Sequence, residues 1–203
     1  MQLPHVQRNS LGPLHSRLCI PLLAYVAEWV TLSGVDARGD TYAWLIALLD
    51  AAGADYEVID HAPTGTTDVV SNLRGHPLEQ AAKCLILMVK LDRKTRKHVL
   101  VVVPGDRSVD LSAVAAMYDA RYVGFCDSAT AERLAKTVSG AVLPFAVDPG
   151  VELVVDPAVL RQPRLYFNAA RLDRSVGLAT VDYVRIARPR THPIAAVRTP
   201  AQA

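Results

Sequence analysis

The amino-acid sequence predicts an α+β fold: a single domain whose mixed, mostly antiparallel sheet is curled or barrel-like and flanked by helices. Three observations carry this. The chain has 203 residues, 51% of them apolar and 21% charged, a globular composition with enough chain for one core. Its two longest apolar runs, CLILMVKL and HVLVVVP, flank the cationic loop DRKTRK and so read as an antiparallel hairpin. The elements run helix, strand, helices, hairpin, helix, strand, helix and then several strands, which is not the β-α-β alternation of a doubly wound sheet.

Residues 1–38 read as an N-terminal extension. Leu22, Leu23, Val26, Trp29 and Val30 fall at helical spacing on one face, which predicts an amphipathic helix. Pro21 and Glu28 interrupt the run, so it is too broken to span a bilayer and a poor secretory signal. The domain proper, residues 39–188, opens at Asp40. This residue caps the helix TYAWLIALLDAA, and Gly53 stops it. The strand DYEVID and the loop HAPTG follow. Thr67 or Asp68 caps a second helix that Gly75 ends, and Pro77 starts a short turn leading to Lys83. After the hairpin, Asp110 caps LSAVAAMYD, RYVGFC is a strand, and Ser128 caps ATAERLAK. PFAVD, VELVVD, RLYFNAA and SVGLAT read as strands, and VDYVRIA as a helix behind Thr180. Residues 189–203 form a basic, Pro-rich tail.

Composition excludes several classes of function. A net charge of +2 demands no polyanionic partner, so any nucleic-acid contact must come from local patches. Three widely spaced cysteines, with no CxxC pair and no zinc spacing, indicate reduced thiols, a cytoplasmic protein and no metal site. GxGxxG, GxxxxGK[ST], HExxH and GxSxG are absent, and neither a cofactor nor a paired acid and base is indicated.

What remains is a set of polar and small residues at the ends of apolar strands. Lys83 opens the core strand, where a lysine ordinarily snorkels to solvent. SGAVLPF, residues 139–145, is a Gly- and Pro-bracketed loop whose Gly140 permits close backbone approach. FNAARLDRS, residues 167–175, places Asn168 and Ser175 around a turn. His61 precedes Ala62-Pro63 at a strand end, and His76 reads as a turn residue. Lys90, Arg93, Lys94, Arg96 and Lys97 form the densest cationic cluster, at the hairpin tip. Arg185, Arg188, Arg190 and Arg198 form a looser one. No aromatic is interleaved with either cluster, so base stacking is not indicated.

In order along the chain, these segments resemble the YbaK family. The likeness rests on HAP (61–63), VVSNLRGHPLEQAAK (69–83), VPGDRSVDL (103–111), GAVLP (140–144) and FNAARLDRSVGLATVDYVRI (167–186), and spans roughly residues 40–187. That family includes the editing domain inserted in bacterial prolyl-tRNA synthetases and free-standing relatives that hydrolyse mischarged aminoacyl-tRNAs. The resemblance implies that Lys83 holds the phosphate or ribose end of the tRNA acceptor. It also implies that the backbone of Gly140, Ala141, Val142, Leu143 and Pro144 shapes the aminoacyl pocket and the oxyanion or water site. Asn168 falls where several members carry histidine or serine, and Ser175 where some are acidic. Ala170 replaces the glycine of an NAG-like motif, which would narrow the pocket.

The expectation is therefore a trans-editing deacylase for tRNA charged with a small amino acid such as Ala, Cys, Ser or Thr. Lys83, Gly140 and Asn168 are its catalytic candidates; the loop, Ser175 and His61 bind substrate; the hairpin tip contacts tRNA. An aminoacyl-tRNA synthetase is a second candidate partner. An aminoacyl ester is already activated, so a positioned water and charge stabilisation suffice to hydrolyse it. The alternatives are a non-catalytic tRNA- or nucleotide-binding module on the same scaffold and an interaction protein that docks through its N-terminal helix.

Overall fold

The computed structural model describes residues 6–8 and 40–197. Its central strand is β4 (Arg96–Pro104). Val99, Val101 and Val103 of β4 face one apolar cluster, while Leu100 and Val102 face the other side of the sheet, all of them buried. Burial on both faces is why this run is continuously apolar instead of alternating.

β3 (Ala82–Lys90) pairs antiparallel with β4 from Ala82 opposite Pro104 to Lys90 opposite Arg96, so the expected hairpin is present. β7 (Val151–Val155) lies parallel on the other side of β4, with β10 (Arg190–Thr191) parallel beyond it, and β6 (Tyr122–Phe125) lies antiparallel to β3. The five-stranded order is β10-β7-β4-β3-β6. A second, antiparallel sheet runs β1-β2-β9-β8, made of β1 (Val6–Arg8), β2 (Tyr56–Asp60), β9 (Arg174–Ala179) and β8 (Arg164–Asn168). One parallel bridge, Ala81 to Tyr166, joins the two sheets at the entrance of β3. A small ladder pairs β5 (Arg107–Val109) with β11 (Ala195–Val197). The fold is the expected α+β with a mixed, mostly antiparallel sheet, and no closed barrel forms among the described residues.

Side-chain caps fix the helices where the sequence puts Asp before an apolar run. Asp40 accepts from Tyr42 N and Ala43 N ahead of α1 (Thr41–Ala51). Asp110 does the same with Ser112 N and Ala113 N for α3 (Leu111–Tyr118). α2 (Thr67–Arg74) ends at Gly75 with φ 72, a left-handed terminator. For α4 (Ser128–Ala135) the cap is Asp127, one residue before the expected Ser128, because its carboxylate reaches both the amide and the hydroxyl of Thr130. α5 (Pro157–Leu160) and α6 (Thr180–Ala187) complete the set. Among the described residues no helix is long and apolar enough to cross a membrane.

The main core joins the two sheets: Leu45, Leu48 and Leu49 of α1 and Tyr183 of α6 pack on Leu165, Phe167, Val176 and Leu178. α3 covers the opposite face of the five-stranded sheet through Val114. Residues 144–148, expected as a strand, are not one. Pro144 has no amide hydrogen to donate, and its carbonyl accepts from the buried Tyr183 hydroxyl at 2.8 Å instead of a neighbouring strand. Phe145 beside it packs edge-on against Phe167 and Tyr183. α5 and β5 were not legible as separate elements.

Two segments outside the expected domain join its sheets. Val6–Arg8 pairs with β2, whereas the expected helix over 22–30 lies outside the described residues. At the other end the buried Asp156 accepts from Ala158, Ile194 and Ala195 amides, each at 2.8 Å. That carboxylate bolts the front of the tail between β10 and β11.

Candidate active site

A cavity of about 280 Å3 opens where the entrance of β3, α2, the end of β8 and the 139–145 loop meet. Its walls are graded. Val70, Arg74, Ala82, Phe167 and Asn168 are buried, while Gly65, Thr67, Lys83, Gly140 and Val142 are partly or fully exposed and form the rim. Arg74 and Lys83 are cations, and none of the described lining residues is acidic or a histidine. The site therefore favours negative charge and offers no protein acid–base pair.

Lys83 lines the cavity together with its neighbours Ala82 and Cys84 at the entrance of β3. Ala82 is buried in the main core, Cys84 packs on it, and the intervening lysine, paired in register with Val103, is half-buried. Cys84 also lines the cavity, but burial pushes its thiol far above the ordinary range and the sulfur donates to Ala82 O at 3.5 Å. A thiol held protonated is not a nucleophile.

Asn168 organises the opposite wall. Its Nδ2 donates to the carbonyls of Thr64 (3.0 Å) and Gly140 (2.9 Å), and its Oδ1 accepts from Ser175 Oγ (3.1 Å) and Arg74 Nη2 (3.3 Å). Four partners saturate the amide, and two carbonyls at the nitrogen settle its orientation. Ser175 is fully buried and His61 Nε2 lies 2.6 Å from its Oγ, while His61 Nδ1 lies 2.9 Å from Ala62 O. Ser175 and His61 thus back the site and do not line it.

The loop touches the cavity through alternate residues. Gly140 and Val142 line it, whereas Ala141 and Leu143 are buried behind, and Pro144 is held by Tyr183. Gly140 has φ 85, and a Cβ there would lie 2.6 Å from Gly65 Cα. Two glycines cross at backbone contact, which fixes the rim. The Ala141 amide closes a turn on Val138 O at 3.0 Å, and the Gly140 carbonyl faces Asn168. Ala170, at φ 59, does not line the cavity, so its missing glycine costs backbone strain instead of pocket width.

Sequence reading missed Arg74. It is 9% exposed, makes no ion pair among the described residues, and leaves Nε and Nη1 without a hydrogen-bond partner. Burial lowers its pKa to about 10, partly opposed by Tyr166, so it stays charged at neutral pH. The signal was the i, i+4 spacing of Val70 and Arg74, which puts the arginine on the buried stripe of α2. Gly65 and Tyr166 were also missed. Tyr166 stacks on His76 at 3.6 Å and donates to Glu57 Oε1 at 3.3 Å, so His76 does more than turn the chain; burial lowers its pKa.

The hairpin cations lie elsewhere. Lys90 and Arg96 sit seven residues along β3 and β4 from Lys83 and Val103, roughly 23 Å at the usual rise per residue. Arg93, Lys94 and Arg96 are exposed. Lys90 sits over Tyr122 (5.1 Å), and Lys97 sits over Tyr118 (5.8 Å) while pairing with Glu152. The fold thus brings aromatics to a cluster that has none interleaved in sequence.

Residues 61–186, which hold the cavity and its backing network, match the model of the aminoacyl-tRNA editing domain. The chain belongs to this family. It is 39% identical over 155 residues to the Multifunctional Ser/Thr-tRNA deacylase ProXp-y of Escherichia coli K12, covering 75% of this chain and 92% of that protein. Two solved structures share the editing-domain fold. One is a hypothetical protein (TM-score 0.67, 21% identity, 75% of this chain and 99% of that one). The other is a proposed trans-editing enzyme for prolyl tRNA synthetase (TM-score 0.64, 14% identity, 78% and 98%). This editing domain is an aminoacyl-tRNA deacylase, a hydrolase whose substrate is the ester of a mischarged tRNA.

Proposed function

We propose that this deacylase acts in trans on tRNA carrying a small hydroxylated amino acid, serine or threonine. The observation that carries the reading is the cavity itself: small, cationic, without an acid–base pair, and framed by the Gly65–Gly140 crossing. The 39% identity to a protein named as a Ser/Thr-tRNA deacylase supports the choice of amino acid.

In this reading Lys83, at the rim, holds the terminal nucleotide, while Asn168 positions the Gly140 loop against the acyl group. Val142 and Gly140 contact the side chain. Ala141, Leu143, Pro144, Ser175 and His61 support that surface from behind. The attacking water is oriented by the substrate's own ribose hydroxyl, consistent with a cavity that has no acidic residue or histidine among its described lining residues. Residues 39–188 are the catalytic unit, with 1–38 as an extension and 189–203 as a tail. The reaction belongs in the cytoplasm, where charged tRNA and its synthetases are.

The test is deacylation of tRNA charged with Ala, Cys, Ser, Thr or Pro by wild type and Lys83→Ala. Seryl- and threonyl-tRNA should be hydrolysed, with loss of at least about 100-fold in the variant and no matching fall in melting temperature. Preference for alanyl- or cysteinyl-tRNA would overturn the substrate choice. Binding without turnover of any ester would instead favour the non-catalytic module.

A further inference from the structure

We propose that Arg74 is a catalytic residue of this site: its Nη1 group donates to the ester carbonyl oxygen of the aminoacyl end as that oxygen becomes an anion. This deepens the deacylase reading and rests on it.

Four observations converge on Arg74. Its guanidinium belongs to the cavity wall and is nine-tenths buried, yet only Nη2 has an acceptor, the Asn168 amide. Nε and Nη1 have no acceptor among the described residues, which leaves them open to an acceptor that enters the cavity. Neither an ion pair nor an acidic lining residue neutralises it among the described residues. Its neighbour Lys83 lies nearer the rim and is half-buried.

Depth decides which part of the substrate meets Arg74. A phosphodiester is bonded to nucleosides on both sides, so it stays near the rim, within reach of Lys83. The aminoacyl ester is the end of the molecule and can reach the buried wall. Its α-ammonium is repelled by a guanidinium, whereas its carbonyl oxygen is attracted, increasingly so as charge develops. The loop is a poorer donor here, since the Ala141 amide is engaged by Val138 O and the Gly140 carbonyl faces Asn168.

The step balances without a further reagent. Water adds to the ester carbon, and the carbonyl π pair moves onto oxygen, where an Nη1–H of Arg74 holds it. Collapse restores the carbonyl and breaks the bond to the ribose oxygen. One proton of the attacking water passes, through the neighbouring ribose hydroxyl, to that departing oxygen. The other leaves with ionisation of the new carboxylic acid, giving amino acid and tRNA with a free ribose hydroxyl.

The experiment measures kcat and KM of wild type, Arg74→Met and Arg74→Lys on whichever of the five esters wild type cleaves. Arg74→Met should lose about 100-fold or more in kcat with KM within about threefold, because the contact strengthens only in the transition state. Arg74→Lys should recover part of that loss. An unchanged kcat, or a defect carried by KM alone, overturns the assignment; the latter would place Arg74 on the ground-state nucleotide.

Binding adds a readout independent of turnover. A phosphonate analogue of seryl-adenosine mimics the tetrahedral anion; the non-hydrolysable serylamino analogue mimics the ground state. Arg74→Met should weaken the first by about 100-fold and the second by less than about threefold, as expected for a transition-state contact. Equal weakening of both overturns the proposal. If wild type cleaves none of the esters, the proposed function falls, and the two analogues still decide whether Arg74 binds the tetrahedral anion.

Discussion

At the scale of single residues, the largest mismatch with ordinary folding chemistry is Arg74. Burial lowers its pKa to about 10, a burden of roughly 3 kcal/mol in the folded state when converted at 1.4 kcal/mol per unit. Folded and unfolded forms are both protonated below pH 10, so the burden is full at neutral pH. It lifts as pH rises above about 10, where the folded form loses its proton first. Arg74→Met removes the buried charge at similar volume and gives up one hydrogen bond to Asn168. We expect a net gain of about 1–2 kcal/mol, a melting temperature roughly 3–6 °C higher, together with lost activity. A fall in melting temperature at pH 7 would show that Arg74 is held for stability. Lys83 was legible in the sequence because a lone cation interrupts an apolar context; Arg74 was hidden in the polar-looking SNLRG, where only helical register reveals its burial.

At the scale of elements, the hairpin, α1, α3 and β8–β9 follow from period and caps alone, since local chemistry determines them. The 139–148 segment does not, because its conformation is set by distant partners: Gly65 under Gly140, Asn168 on the Gly140 carbonyl, and Tyr183 on Pro144. Gly140→Val would impose a Cβ clash on the Gly65 backbone and a left-handed penalty on a branched residue. A loss of about 3 kcal/mol or more is expected, visible as a lower denaturation midpoint, with impaired turnover. Full activity and an unchanged midpoint would place the loop outside the working site. Ala170 offers the converse case. At φ 59 it carries about 1–2 kcal/mol of strain, and Ala170→Gly relieves that while adding unfolded-state entropy. A gain of about 0.5–1 kcal/mol is expected, with KM unchanged because Ala170 does not line the cavity; an altered KM would return it to the pocket wall.

At the scale of the whole molecule, a net charge of only +2 conceals an uneven distribution. Two cations sit in the cavity, and a separate group caps the far end of the β3–β4 hairpin, roughly 23 Å away. A tRNA whose 3′ end fills the cavity would meet that tip with its stem phosphates, not its terminal nucleotides. Lys97 is already paired with Glu152 and Lys90 sits over Tyr122, which leaves Arg93, Lys94 and Arg96 as the exposed cations of the tip with no ion pair or ring contact among the described residues. Neutralising these three with glutamine should weaken binding of deacylated tRNA and flatten its salt dependence by about two to three units of slope. Hydrolysis of a minimal aminoacyl-adenosine should stay unchanged, because that substrate is too short to reach the tip. An unchanged salt slope would return the tip to solvent. A slope that flattens together with a fall in minimal-substrate turnover would mean that the hairpin acts on the cavity through the sheet and not through the tRNA stem.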